Sequence, residues 1–262
     1  MTELTAALRK DIASLAKNAR TRREMQMFVA EGTKCVLDTI HAFECRYIFA
    51  TSAWIEKHVA SLPHGITAET VRRSDLERMS HMSTAPEVMA IYRMPVRELN
   101  DRELKGRLSI ALDGIQDPGN LGTIIRVADW MGVRHIICSR DTVDVYNPKV
   151  VQATMGAISR VKVYYADLSD VLRKLRESMP VYGTFLDGDN IYATELTEEG
   201  IIVMGNEGKG VSEPVANLAT KRLYIPSYPP GEQTSESLNV AVATAITLSE
   251  FRRQNTSSRC LQ

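Results

Sequence analysis

From residue 107 onward the chain alternates between short apolar runs and segments of helical character. RLSIAL (107–112), RHIICS (134–139), RVKVYY (160–165), PVYGTFL (180–186), GIIVM (200–204) and KRLYIP (221–226) read as strands. Helices are expected between them, notably over 120–131, 167–178 and 238–253. Such alternation implies an α/β fold with a mostly parallel sheet and helices on both faces. In sheets of this kind ligands collect at the carboxyl ends of the strands. The loops that leave those ends therefore matter most.

Before residue 107 the rhythm differs. LTAALRKDIASLAKNARTRREMQMFVAEGTKCVLDTI reads as helices, CRYIFATS as a short strand, and HGITAETVRRSDLERMSHMSTAPEVMAIYRMP as strand, helix, turn and strand. A small N-terminal α/β domain over 1–98 and a charged linker over 99–106 are expected, followed by the larger domain over 107–262.

Of the 262 residues 44% are hydrophobic and 24% charged, so a packed core is expected rather than disorder. The formal net charge is zero, which gives no global signal for a polyanionic partner. Cys35, Cys45, Cys138 and Cys260 show no C-x-x-C spacing and read as reduced thiols. The opening MTELTAALRKD has no apolar signal region, and no run approaches the ~18 apolar residues of a membrane helix. A cytoplasmic protein without a membrane partner is the expectation. His41, His58, His64, His81 and His135 show neither HExxH nor another ligand spacing, so no metal is expected.

Three strand-end loops stand out. In LDGIQDPGNLGTIIRVADWMG (112–132), Asp117-Pro118-Gly119-Asn120 is a turn cluster and Asn120 a candidate helix N-cap. Arg126 and Asp129 lie three apart on the following helix, the spacing of a surface ion pair. In IIVMGNEGKGVSEPV (201–215), a strand runs into Gly205, Glu207, Gly208 and Gly210. That loop matches neither the P-loop nor G-x-G-x-x-G, which leaves close backbone approach to some other ligand or a tight turn. In IPSYPPGEQTSESLNVAVA (225–243), Ser235 or Ser237 is expected to cap a helix starting near Leu238. Leu238, Val240, Val242, Ile246 and Leu248 predict that this helix is buried.

Taken together, the loops resemble the three signature motifs of the SpoU (TrmH) family, RNA ribose 2′-O-methyltransferases of the SPOUT superfamily. N-x-G-x-I-x-R-x-A is met by Asn120, Gly122, Ile124, Arg126 and Ala128. G-x-E-x-x-G is met by Gly205, Glu207 and Gly210, and I-P followed by S-L-N-V by Ile225-Pro226 and Ser237 to Val240. The resemblance covers roughly 107–253. GTKCVLDTI and MSTAPEVMAIY are more loosely similar to the substrate-binding domain that precedes the catalytic one in rRNA-type members. The chain departs from the family at Ser227, where Met is usual, and in a longer loop over 227–236.

The resemblance implies a trefoil-knotted C-terminal domain, a homodimer whose two subunits build the active site, and S-adenosyl-L-methionine held by Thr184, Gly205, Ile225 and Leu238. It implies RNA as substrate, with rRNA favoured over tRNA, and the 2′-hydroxyl explains why DNA would not serve. The family assigns deprotonation of that hydroxyl to the arginine at Arg126. A guanidinium has a pKa above ~12, which argues instead for holding a phosphate and stabilising developing charge. Both roles stay open at this point. Asn120, Glu207, Ser237 and Asn239 are expected to orient Arg126 and the substrate. Lys17, Arg20, Arg22 and Arg23 form a basic run without an acid among them, a solvated face or an RNA contact. The alternative to an enzyme is a non-catalytic RNA-binding or assembly protein of the same fold.

Overall fold

Backbone groups at the ends of the first helices are met by side chains immediately before them. Thr5 accepts from the Leu8 amide ahead of α1 (Ala6–Lys17), and Asn18 accepts from the Arg20 amide ahead of α2 (Ala19–Met25). The computed structural model describes residues 4–229 and 232–256. Cys260, the last residues of the domain expected over 107–262, and Pro230 and Gly231 of the 227–236 loop lie outside the described residues. The chain divides into two units, Met1–Val96 with Asp144–Arg160, and Arg97–Val143 with Val161–Gln262.

The first unit continues with β1 (Met27–Glu31), α3 (Thr33–Thr39), β2 (Cys45–Ala50), α4 (Ser52–His58), β3 (Glu69–Thr70), α5 (Arg73–Met79) and β4 (Val88–Arg93). Its sheet runs β1-β4-β2-β3, with β4 antiparallel to both neighbours and β3 parallel to β2. Side chains alternate across the pleat. Val29, Phe49, Met89 and Ile91 join Ile12 and Leu15 of α1 and Leu76 and Met79 of α5 in one apolar cluster. Phe28 and Tyr92 pack with Phe43 and Tyr146, with ring centroids 4.6 Å apart for Phe28 and Tyr146.

The second unit opens with α6 (Asp101–Leu104), β5 (Leu108–Leu112), α7 (Pro118–Trp130) and β6 (His135–Cys138). The chain then forms α8 (Pro148–Ala153), which packs on β1 in the first unit. It returns with β7 (Lys162–Tyr165), α9 (Leu168–Leu175), β8 (Val181–Asn190), β9 (Gly200–Met204), α10 (Glu213–Ala216), β10 (Lys221–Tyr224) and α11 (Val240–Thr256). The six strands order as β10-β8-β9-β5-β6-β7, all parallel.

Helices cover both faces of this sheet, as the alternation predicts. Ala111, Ile137, Val181, Ile201 and Val203 pack with Leu168, Leu172 and Leu175 of α9 and Val215 of α10. Tyr182, on the other face of β8, meets Phe251 of α11 edge to face at 4.9 Å, and α11 packs along α7. Strand order reverses beside β5: β6 follows it on one side, and β9 lies on the other. The carboxyl ends of β5 and β9 are thus the switch point where such sheets place ligands.

Candidate active site

At the start of α7 the capping residue is Asp117, whose Oδ1 accepts from the Asn120 amide at 2.7 Å. Asn120 is therefore not the N-cap expected from the sequence. Pro118 supplies the pre-set dihedral of the first turn, and Asn120 falls within that turn with its side chain released from capping.

That side chain bridges the other two loops. Asn120 Nδ2 donates to Glu207 Oε1 at 2.8 Å, and Asn120 Oδ1 accepts from Asn239 Nδ2 at 2.9 Å. Asn239 Oδ1 in turn accepts from the amides of Ala241 at 3.0 Å and Val242 at 3.3 Å, so Asn239 caps α11. The expectation of a Ser235 or Ser237 cap is corrected: both serines precede the helix by too much. An amide side chain has one accepting and one donating end. With the Asn239 oxygen committed to the helix, its amide must face the Asn120 oxygen, which turns the Asn120 amide toward Glu207. All three signature loops are joined by one directional relay ending on a carboxylate.

The second loop holds its shape through contacts the sequence reading missed. Asn206 Oδ1 accepts from the amides of Gly208 at 3.0 Å and Lys209 at 3.1 Å, an Asx turn, while Nδ2 donates to Gly114 O at 2.7 Å. Asp113 Oδ2 accepts from the Ser212 amide at 2.7 Å. Ser139 Oγ accepts from the Gly114 amide at 2.8 Å and donates to Asp141 Oδ1 at 2.6 Å. Asn206 was open to detection as the Asn-x-Gly turn residue. The roles of Asp113, Ser139 and Asp141 depend on chain brought together by β5, β6 and β9.

Gly205 is required by the loop itself. A Cβ there would lie 2.3 Å from the Gly210 carbonyl carbon and the Val211 nitrogen. Gly205 directly follows β9, and Ile225 directly follows β10. Thr184 lies on β8 just past Gly183, the last β8 residue paired with β9, and its Oγ1 donates to Val203 O at 2.9 Å. Three of the four expected cofactor residues thus stand at neighbouring points on β10, β8 and β9 where the sheet ends or parts. Leu238 precedes α11 and is 45% exposed. Half-exposed apolar groups at Ile225 and Leu238 beside ending main chain suit a planar, polar-edged base. The residues present fit an adenosyl group.

Arg126 stands apart from the relay. It is exposed on α7, on the face that also carries Thr123 and Trp130, and Trp130 is 88% exposed. Asp129 pairs with Arg134, and Arg126 forms no ion pair among the described residues, so the expected Arg126–Asp129 pair is replaced. Ser237 is also exposed. α11 is not buried all round as expected, since Val242 is 49% exposed, and Leu238 lies before the helix rather than on it.

Of the basic run in the first unit, Lys17, Arg20 and Arg23 are exposed, and Arg20 pairs with Glu24 at 2.7 Å. Arg22 is a correction. It is 2% exposed; its guanidinium donates to Asp144 Oδ2 at 2.8 Å from Nε and to Leu15 O at 2.7 Å from Nη1. A group spent on closing the fold has no donor face toward RNA. Among the described residues there is no cluster of three metal-capable side chains, and no helix is long and apolar enough to cross a membrane.

Residues 107–249 match the family model described as the SpoU rRNA Methylase family, and residues 9–90 match the MRM3-like substrate binding domain. The chain is 31% identical over 195 residues to the 23S rRNA (guanosine(2553)-2′-O)-methyltransferase RlmP of Bacillus subtilis, covering 74% of this chain and 75% of that one. Among solved structures it resembles a putative RNA methyltransferase of the TrmH family from Porphyromonas gingivalis, with TM-score 0.86, 39% identity, and coverage of 97% and 100% of the two chains. It also resembles an AdoMet-bound rRNA methyltransferase from Sinorhizobium meliloti, with TM-score 0.84, 30% identity and 97% of each chain covered.

Proposed function

The chain belongs to the SpoU rRNA methylase family, and on that premise we propose that it methylates a ribose 2′-hydroxyl of ribosomal RNA. The observation that carries the reading is the Asn239–Asn120–Glu207 relay, which draws the three signature loops together at the switch point of the sheet. S-adenosyl-L-methionine, when bound, supplies an electrophilic sulfonium methyl. Thr184, Gly205, Ile225 and Leu238 would hold it, with Ile225 and Leu238 as apolar walls and ending main chain as the polar edge.

Displacement in line at a methyl carbon depends on position, and fixing the reacting groups supplies much of the rate. Asn120, Glu207, Ser237 and Asn239 would orient the substrate sugar for that displacement. The guanidinium of Arg126 stays charged at neutral pH. Its part is to hold the phosphate next to the reacting sugar and to stabilise the negative charge that grows on the 2′-oxygen as its proton leaves.

Arg126 does not meet the relay of its own chain. In this reading a second copy supplies it, within the homodimer that the family implies. Support comes from large apolar side chains exposed in one chain: Trp130 on the same face of α7, Val242 on α11, which packs along α7, and Leu238 just before α11. A contact with a second copy would cover them. The trefoil knot belongs to the same reading, supported by the bond from Asn239, at the head of the last helix, to Asn120 on α7.

The first unit is the RNA-binding part of the protein, with Lys17, Arg20 and Arg23 as phosphate contacts. Its match to a substrate binding domain supports this part, and the 23S rRNA methyltransferase among the relatives favours rRNA over tRNA. A cytoplasmic site of action belongs to the same proposal. Labelled methyl incorporation into rRNA, compared between the native protein and Arg126→Ala, tests the reading. Equal incorporation by both would overturn the catalytic assignment, and ribose-methylation maps from cells lacking the protein would identify the nucleotide.

A further inference from the structure

RNA is a polyanion, yet the loops that would receive it carry almost no positive charge. Residues 113–120, 205–212 and 225–239, which leave β5, β9 and β10, hold Asp113, Asp117, Glu207, Glu232 and Glu236 against a single cation, Lys209. Three of those acids are already engaged by donors. Asp113 Oδ2 takes the Ser212 amide at 2.7 Å, Asp117 Oδ1 the Asn120 amide at 2.7 Å, and Glu207 Oε1 the Asn120 side chain at 2.8 Å. Glu232 and Glu236 belong to the loop leaving β10, which β8 separates from β9.

Lys209 is not engaged in this way. Its side chain is exposed and forms no ion pair or hydrogen bond among the described residues. Its backbone, by contrast, is held. Asn206 and Gly210 exchange two backbone hydrogen bonds of 2.9 Å, closing the turn between them, and the Lys209 amide donates to Asn206 Oδ1 at 3.1 Å. Glu207 lies in the same turn, two residues away and so within about 7 Å of chain. The turn that delivers Glu207 to the relay thus also fixes where the Lys209 side chain leaves the backbone.

A second cation stands on the same rim of the sheet. Arg140 follows β6, is exposed, and its side chain has no partner among the described residues. The residues on both sides of it are tied to the first loop. Ser139 Oγ accepts from the Gly114 amide at 2.8 Å and donates to Asp141 Oδ1 at 2.6 Å, and Asp141 O accepts from Gln116 Nε2 at 2.6 Å. β9 and β6 flank β5, so their carboxyl ends stand roughly 10 Å apart at ~4.8 Å between neighbouring strands. In strand order, the two cations stand on either side of the loop that carries Asn120.

We propose that Lys209 and Arg140 contact backbone phosphates of the RNA strand that carries the reacting sugar. The proposal rests on RNA as the substrate of this site. Such contacts release counterions from the RNA and carry no sequence information, so they position the strand rather than select it.

Binding of a ribosomal RNA transcript to the full chain, measured across a salt series, tests this. Lys209→Gln and Arg140→Gln are each expected to lower the slope of log affinity against log salt by about 0.7, and the double variant by about twice that. Lys209→Arg keeps the charge and is expected to keep the native slope. Both positions are exposed, and thermal melts check that each variant is folded. A native slope in either glutamine variant, or a slope lowered as much by Lys209→Arg as by Lys209→Gln, would overturn the proposal. Failure of the methyl-transfer reading is seen separately, as native protein that binds the RNA but incorporates no methyl group.

Discussion

Asn120 and Glu207, 87 residues apart in the chain, meet through a hydrogen bond of 2.8 Å from the amide of one to the carboxylate of the other. Because Asn120 also accepts from Asn239, removing its side chain breaks two contacts at once. Asn120→Ala is expected to lower kcat about 10²-fold by misplacing the loops. Asn120→Asp should be worse, since it sets a second carboxylate against Glu207. Steady-state methyl transfer compares the two, and an Asp variant faster than the Ala variant would refute the donor role.

Arg126 contributes to no ion pair among the described residues and is exposed. Its replacement by Ala should leave the melting temperature unchanged while methyl transfer falls about 10²- to 10³-fold, the scale for losing one charge-stabilising donor. Thermal melts beside rate measurements separate the effects. A drop in both would mark Arg126 as structural.

Supply of Arg126 by a second copy has an arithmetic consequence. Arg126→Ala and Asn120→Ala subunits are each inactive alone, yet a mixed dimer pairs one intact relay with one intact arginine. Equal mixing after subunit exchange should restore about a quarter of native activity. No recovery, with mixed dimers verified by mass, would place both residues in one subunit's site.

Arg22 and its neighbours should separate cleanly. Arg22→Ala leaves Asp144 without its partner in a buried setting, and breaking such a pair costs about 3 kcal/mol. Denaturant melts should show that loss. Lys17→Ala and Arg23→Ala, at exposed positions, should leave stability alone and weaken RNA binding, lowering its salt slope by about 0.7 for each lost contact. An unchanged slope in both would remove this surface from RNA recognition.

His135 ties stability to pH. Its folded pKa lies below the unfolded value, because burial and then Lys162 and Arg107 oppose the imidazolium. The unfolded chain therefore takes up a proton first, at about pH 6.5. Stability from this residue is fully present above that pH and declines as pH falls toward the folded pKa. Denaturant midpoints measured across this range should fall on acidification, and less so in His135→Gln.

Sequence by itself determined the periodic parts of the protein. Apolar runs at strand length and helical segments between them marked all six strands of the large sheet, because burial on both faces leaves little choice of residue along a parallel strand. The three loop motifs were equally legible, being local strings. Tertiary structure alone decided what individual polar side chains do. Asp117 took the cap expected of Asn120, Asn239 the cap expected of Ser235 or Ser237, and Arg22 turned inward to Asp144 while Arg23 beside it stayed in water. Periodicity is a property of neighbours along the chain. A hydrogen bond reaching 119 residues from Asn239 to Asn120 is selected by which donors and acceptors the folded backbone delivers to one place, and no local pattern carries that information.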